Sequence, residues 1–540
     1  MKKRNAPQRD AEARRGKPLR TSASSAVNSG LLLPSSPAFL RLQAQRRIDR
    51  GGLVFRERHI PYGELAEAVD GLASWLSGHG VGSRQHVGIM AANEPGFVAA
   101  TFATWGLGAV SVPVSVRSTA EETARLLTHA RAAVLICDTA RADVAREAAS
   151  AVGVPVLAIE PDLPLRPRLL RRARSAGRTS PPRAPRPQDL AVLAYTSGTT
   201  GAPKGAMISH ANLWWAALAC SGARGDTQDG VGASLSPLSH TPVFVSHLLC
   251  RVLAGATTVL LEKFDLPTLL ECVERFGITD LPLIGGMVFD VVAMGDVAPA
   301  VQRTVRKVSV GGAPTPMGAK RELGRIFTGA EIIEAYGQTE STDGVTMARG
   351  TSVFDRPGTI GATNPHLVVA VRRPDGSLAD ADEEGELVVG GPTVMGGYYR
   401  DRAASAAAVR DGWLHTGDRG RRDADGYFYI TGRVKDLIIT GGENVSPVEI
   451  EDVLRAHPDV ADVAVIGTPH PKWGEQVTAV IVARAGARLD GETITAFAAA
   501  RLAGFKKPRR VEFVEVLPRN AAKKVMTSAL RERFAETERR

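Results

Sequence analysis

The sequence predicts an α/β fold: a large N-terminal part of two helix-flanked sheets plus a small β-barrel-like region, followed by a small α+β C-terminal domain. Three patterns predict it. Between about Pro37 and Ile333, short aliphatic runs alternate with apolar residues at helical spacing, as in parallel sheets covered on both faces. From roughly Gly358 to Ile430 the strands become shorter and rich in turn residues, as in VVAVRRPDGSL and GELVVGG. After Gly432 a final stretch of about a hundred residues opens on a new helix start and carries its own strands and helices.

The elements follow in order. Leu65, Val69, Leu72 and Leu76 recur at helical spacing, and Gly78 and Gly80 follow as stop signals. VGIM (Val87–Met90), AVSVPV (Ala109–Val114) and AVLIC (Ala133–Cys137) read as short buried strands. A second run of strands and helices begins at Leu190. In the C-terminal part, Ser446 and Glu449 fit a capping box with Pro447 at the first helical position, Ile450, Val453 and Leu454 form an apolar stripe, and His457-Pro458 ends the helix. The domain reading is a disordered basic extension over 1–35, a nucleotide-binding domain over 36–433 with an Arg/Pro-rich segment at 163–188, and a C-terminal domain over 434–540.

Composition narrows the function classes. An apolar fraction of 44% with 23% charged residues belongs to a globular chain able to bury large cores. No apolar run reaches the roughly 18–20 residues needed to span a bilayer, and the charged N-terminus has no secretory h-region. Four scattered cysteines without a C-x-x-C pair argue against a disulfide framework or a zinc site and fit a reducing cytoplasm. The net charge of +10 sits largely in two arms, Met1–Gly30 and Arg166–Arg186. Both mix Arg with Ser, Pro, Gly and Ala and read as solvated segments. Neither interleaves aromatic residues for base stacking, so no nucleic-acid partner is expected; a peripheral contact with an anionic membrane stays open.

The strongest local signal is the string from Tyr195 to Ala206, YTSGTTGAPKGA. An apolar strand runs into a loop where Gly198 and Gly201 let backbone N–H groups converge into an anion-binding nest. Thr196, Ser197, Thr199 and Thr200 add hydroxyl donors, and Lys204 adds a positive charge against phosphate. The spacing is not that of a Walker A loop.

This string resembles the phosphate loop of the adenylate-forming superfamily, which includes acyl-CoA synthetases, the adenylation domains of peptide synthetases and firefly-type luciferases. Further matches follow in the family's order. Gly311-Gly312-Ala313-Pro314 is similar to the loop lining the adenine and acyl site. Tyr336-Gly337-Gln338-Thr339-Glu340 resembles the adenine-site motif, with a ring to stack on adenine, a threonine for the α-phosphate and a carboxylate suited to Mg²⁺. Leu414-His-Thr-Gly-Asp418 resembles the ribose motif, since a carboxylate accepts from both ribose hydroxyls. In Gly432-Arg433-Val-Lys-Asp436 the resemblance gives Arg433 a ribose and phosphate contact and makes Lys435 the hinge of a mobile C-terminal lid. Gly441, Gly442 and Asn444 match the loop that guides the pantetheine arm of CoA. The segment from Leu517 to Val525 is similar to the family's catalytic-lysine segment and puts that lysine at Lys524. Here the chain departs from the pattern. Lys523 replaces the usual glycine and Thr527 stands where a basic residue is common; Lys523 either strains the turn or adds a second positive charge.

The resemblance implies an ATP-dependent acid–thiol ligase. It would activate a carboxylic acid as an acyl-adenylate, release pyrophosphate, and pass the acyl group to CoA. Lys524, His240 and Glu340 are then the catalytic candidates, with Thr199 and Glu340 holding Mg²⁺ and ATP and CoA as co-substrates. His240, in Leu235-Ser-Pro-Leu-Ser-His240, matches the histidine beside the acyl pocket. Amino-acid-activating relatives carry an Asp just after this position. Here Thr241-Pro-Val-Phe244 follows, which disfavours an α-amino acid, because a buried ammonium needs a partner. The apolar stretches Val243–Leu249 and Leu281–Val288 favour a fatty or aryl acid. Three other readings remain: an enzyme loading an acyl-carrier protein, a nucleotide binder with impaired catalysis, and a luciferase-like oxygenase.

Overall fold

The computed structural model describes residues 36–46, 51–160, 185–196, 204–312, 315–433, 438–440, 443–470, 474–502, 504, 506–520 and 524–536. The basic extension 1–35 and most of the Arg/Pro segment lie outside them. The architecture is α/β, with two helix-flanked sheets, a small β region and a separate C-terminal sheet.

The first sheet has six strands, in the spatial order Val156–Ile159, Ala132–Asp138, His86–Met90, Val110–Pro113, Leu190–Thr196 and Lys204–Ser209. All neighbours run parallel except the last pair, an antiparallel hairpin. The run beginning at Leu190 therefore opens not the second sheet but the edge of the first. The reason is local. Ala191 O accepts from Trp105 Nε1 at 2.9 Å and from Ser111 Oγ at 3.1 Å, all three being buried. These bonds anchor the strand beside Val110–Pro113, where Ser111 pairs with Val192.

Helix Tyr62–Gly78 packs against helix Pro95–Gly106 and touches strand Gly52–Phe55 of the second sheet. Leu65, Val69, Leu72 and Leu76 are all buried, as their spacing predicts, and burying each such side chain fully stabilises by about 1.5–3 kcal/mol. Helix Pro95–Gly106 is apolar on nearly every face and is buried throughout its middle. Its Trp105 sits edge-on to Phe244, the centroids 5.6 Å apart.

The second sheet has fourteen strands. Its centre is parallel: Glu331–Gly337, Lys307–Gly311, Asp280–Ile284, Val231–Ser234, Thr257–Leu260 and Gly52–Phe55. Antiparallel strands from Gly344 to Arg433 continue the ladder on one side, so the turn-rich β region is tied to this sheet through Thr346 and Thr363. The third sheet holds five strands, among them the long hairpin Val460–His470 and Gly474–Ala483, and encloses its own core around Ile450, Leu454, Val465 and Ile481.

The capping box expected at Ser446 is absent, although helix Pro447–Arg455 does begin there with Pro447 in its first turn. Ser446 Oγ turns back to donate to Thr431 O, fifteen residues earlier in the chain. Glu449 is drawn away by Lys506, whose Nζ lies 2.7 Å from its Oε1. A tertiary hydrogen bond and an ion pair outcompete the local cap. A complete capping box does form at Thr119 and Glu122.

Candidate active site

The parallel strands of the second sheet end together at Ile284, Gly311 and Gly337. The carboxyl edge of such a sheet is where α/β folds place ligands. Gly311 is buried at its strand end, while Gly312 is exposed at φ +73°. Strand Glu331–Gly337 delivers Tyr336 to this edge. Gly337 must be glycine, because a Cβ there would lie 2.2 Å from Asp343 O. Gln338 and Thr339 then enter a single helical turn, closed where Gln338 N–H donates to Ser341 Oγ at 3.1 Å. Thr342 follows at φ +70°, a costly conformation for a β-branched residue, held by burial and by its Oγ1 donating to Thr393 O at 2.6 Å.

Across the edge, Asp418 is only 5% exposed. Tyr336 Oη donates to its Oδ2 at 2.6 Å, and Arg433 Nε lies 2.9 Å from its Oδ1. Burial, then the neighbouring Asp418 charge, push the Tyr336 phenol well above its usual range, so it stays a donor. Asp418 and Arg433 face each other on adjacent antiparallel strands. That register places a carboxylate and a guanidinium at the sheet end next to an aromatic ring.

On the phosphate side, Thr196 and Lys204 are paired across the hairpin whose loop carries Ser197, Gly198, Thr199, Thr200 and Gly201. Those five residues lie outside the described residues, as do Ala313, Lys435, Gly441 and Gly442. Asn444 is in strand Glu443–Val445, with its backbone paired to Ile439. Glu340 Oε1 accepts from Tyr398 Oη at 2.8 Å and from Thr196 Oγ1 at 3.4 Å. Lys204 Nζ lies 5.4 Å from the centre of the Tyr398 ring. A carboxylate grouped with hydroxyl oxygens is a hard donor set, which fits Mg²⁺ rather than a thiophilic ion.

Lys524, after the C-terminal sheet, acts electrostatically on this group. Its turn is closed twice: Asn520 N–H donates to Lys524 O at 2.9 Å, and Lys524 N–H donates to Asn520 Oδ1 at 3.0 Å. Although part of the side chain meets solvent, desolvation lowers its pKa, with the Arg433 charge adding and the Asp418 and Glu340 carboxylates opposing. His240 is likewise partly exposed, and its pKa is lowered by desolvation first and then by the charges of Arg117 and Lys524. Lys524, Glu340, Asp418, Arg433 and His240 thus act on one another electrostatically, across two domains.

Four residues of the site escaped the sequence reading. Tyr398 holds Glu340, and Arg117 adds charge beside His240. Buried Asn93 pins the segment before His240, accepting from Leu238 N–H at 2.8 Å and donating to Ser236 O at 2.8 Å. Asn520 shapes the lysine turn. The signal for Asn93 was present: it follows the end of strand His86–Met90, just before a helix-starting Pro95, at a strand's carboxyl end.

One sequence argument needs correction. Leu281, Leu283 and Val288 belong to the core of the second sheet, and Val245, Leu248 and Leu249 to the core of the first. Their apolarity builds the fold and says nothing about the acid. Within Leu281–Val288, Ile284 to Met287 are partly exposed, with Ile284 at the strand end beside Gly312.

Two family models match the chain: "AMP-binding enzyme" over residues 40–399 and "AMP-binding enzyme C-terminal domain" over 449–524. A feruloyl-CoA synthase from Amycolatopsis sp is 35% identical over 88% of this chain and 94% of its own length. An indoleacetate–CoA ligase from Aromatoleum aromaticum is 34% identical over 89% of this chain and 94% of its own. Among solved structures, o-succinylbenzoate CoA synthetase from Bacillus subtilis, in complex with the acyl-adenylate intermediate OSB-AMP, superposes with a TM-score of 0.82 at 27% identity, over 93% of this chain and 98% of that one. Among the described residues no helix is long and apolar enough to cross a membrane.

Proposed function

The chain belongs to the AMP-binding enzyme family, and on that premise we propose that it is an ATP-dependent acid–CoA ligase whose acid is an aryl carboxylate. The observation that supports the ligase reading is the sheet-edge group in which Tyr336 and Arg433 bond Asp418 and Tyr398 and Thr196 bond Glu340, with the Lys524 ammonium acting electrostatically on both carboxylates. Names among the relatives, feruloyl-CoA synthase and indoleacetate–CoA ligase, favour an aryl acid over a fatty one. Ile284, partly exposed beside Gly312, offers an apolar wall for such a ring.

In the first half-reaction a carboxylate oxygen of the acid attacks the α-phosphorus of ATP. A C–O–P anhydride forms, the bond to the β-phosphate breaks, and pyrophosphate leaves. The protein's part is positioning and charge compensation. The Tyr336 ring faces adenine, Asp418 accepts from the ribose hydroxyls, and Thr196, Lys204 and the loop from Ser197 to Gly201 hold the outer phosphates. Lys524 bridges the carboxylate and α-phosphate oxygens. Glu340, with Thr199, would hold Mg²⁺, which offsets phosphate charge when bound. His240, kept neutral by its surroundings, lines the acyl entrance without repelling the Lys524 ammonium.

In the second half-reaction the thiol of CoA attacks the acyl carbon. The thiol proton is lost, the C–O bond breaks and AMP leaves. We take 434–540 as a lid hinged at Lys435, which withdraws Lys524 and brings Gly441, Gly442 and Asn444 to the pantetheine arm. Coenzyme A, rather than a carrier protein, is the acceptor. A cytoplasmic location fits four free cysteines, three of them buried.

The test is thioester formation across a panel of acids with ATP, Mg²⁺ and CoA. Cinnamate- and arylacetate-type acids should exceed straight-chain fatty acids by at least roughly tenfold in kcat/KM, the size of a pocket-fit discrimination. Equal rates for both sets would leave the ligase reading intact and discard the aryl assignment.

A further inference from the structure

Behind the adenine-site turn lies a cluster that the ligase chemistry does not use. Cys220 comes from helix His210–Arg224, Cys250 begins helix Cys250–Ala254, and Asp343 follows the strained Thr342. Their two sulfurs and a carboxylate oxygen all lie within 4.8 Å of one another. The residues are 3%, 0% and 6% exposed. We infer that Cys220, Cys250 and Asp343 form a binding site for one thiophilic divalent cation, zinc being the ion that fits.

The donor set supports this assignment. Thiolate and carboxylate ligands suit zinc, whereas Mg²⁺ takes oxygen alone. A second observation points the same way. Asp343 Oδ2 is buried and has no hydrogen-bond partner among the described residues, although buried polar atoms are nearly always satisfied. Apart from the cation, the buried carboxyl and thiol are held in their neutral forms: desolvation leads in raising Asp343, and hydrogen bonding to Cys250 with burial raises Cys220.

Binding balances in atoms and charge. The cation enters and three protons leave to solvent, one from each thiol and one from the Asp343 carboxyl; two sulfur–metal bonds and one oxygen–metal bond replace two S–H bonds and one O–H bond, and the core ends one unit more negative. No redox step is involved. Nearby Arg224 does not bar the ion, because it is already paired with Asp226 at 2.7 and 2.6 Å. Closed zinc sites take four ligands; Ala217 O, which accepts from the Cys250 thiol at 3.5 Å, is an oxygen donor beside that sulfur.

The location gives the ion a consequence. Asp343 O accepts from Ser341 Oγ at 2.9 Å and abuts Gly337. A cation on the Asp343 carboxylate therefore ties helix His210–Arg224 to the turn that presents Tyr336 and Glu340.

The experiment uses the untagged full chain expressed in zinc-supplemented medium, with metal measured by plasma mass spectrometry after gel filtration. The wild type should carry about one zinc per chain, and Asp343→Asn and Cys220→Ser should each lower that content by roughly tenfold or more. Exchange of the wild type with Co²⁺ should give thiolate-to-cobalt charge-transfer absorption. This readout needs no variant and decides the matter where a substituted chain does not fold. A wild type without zinc and without the cobalt–thiolate band overturns the site, as does zinc content unchanged in folded Asp343→Asn.

Discussion

Tyr336 Oη and Asp418 Oδ2 are 2.6 Å apart, one hydrogen bond that joins the adenine motif to the ribose motif across the end of the sheet. The buried carboxylate is thereby oriented before nucleotide arrives. Tyr336→Phe keeps the ring and removes the donor. A hydrogen bond to a charged group is worth about 1.5–3 kcal/mol, so kcat/KM for ATP should fall by about 10–100-fold. The KM for the acid should hardly move. Steady-state kinetics with each substrate varied in turn checks this.

Glu340 is fixed by Tyr398 at 2.8 Å and by Thr196 at 3.4 Å. Glu340→Gln removes a formal charge from the hard donor set and should raise the Mg²⁺ concentration for half-maximal pyrophosphate exchange by about 10–100-fold. Tyr398→Phe acts only on the orientation of the carboxylate and should shift it by roughly tenfold or less. A Mg²⁺ titration of both variants distinguishes ligand from support.

Asn93 bridges Ser236 O and Leu238 N–H from a buried position. Asn93→Ala strands both backbone groups and should cost about 2–4 kcal/mol in denaturant unfolding. The freed segment carries His240, so the KM for the acid should rise while that for ATP stays within about twofold.

Glu94 sits at the start of helix Pro95–Gly106, 3% exposed, and desolvation, with Asp138 and Glu262, pushes its carboxyl from 4.5 up to about 8. A carboxyl that holds its proton more tightly when folded contributes a constant amount below about pH 4.5, loses stability as pH rises from there to about 8, and is level above. Glu94→Gln removes that loss. Its unfolding free energy should exceed the wild type's at pH 8 by a few kcal/mol, on the order of 3–5, and the gap should close toward pH 5. Denaturant melts at both pH values measure it.

The sequence was legible where one local rule dominates. Leu65, Val69, Leu72 and Leu76 face one core because helical spacing admits no other arrangement, and Gly337 in the Tyr336–Glu340 motif marks backbone that a side chain would block. It was not legible where tertiary partners decide. Ser446 and Glu449 carry a valid capping pattern, yet Thr431 O and Lys506 claim both side chains. The strand from Leu190 looks like the start of a new sheet until Trp105 and Ser111, some eighty residues earlier, bind Ala191. Tyr398 and Asn93 follow no period or motif of their own; each is defined by a carboxylate or a loop distant in the chain. Leu281 and Leu283 read as lining for an apolar acid, and burial assigns them to the core instead.

The central claim is that Lys524 serves the adenylation half-reaction alone. The measurement is a pair of partial reactions on Lys524→Ala: acid-dependent ATP–pyrophosphate exchange, and thioester formation from CoA and a synthetic acyl-adenylate. Exchange should fall by about a thousandfold or more while thioester formation stays within a few-fold of wild type. Comparable losses in both, or intact exchange, would contradict the assignment.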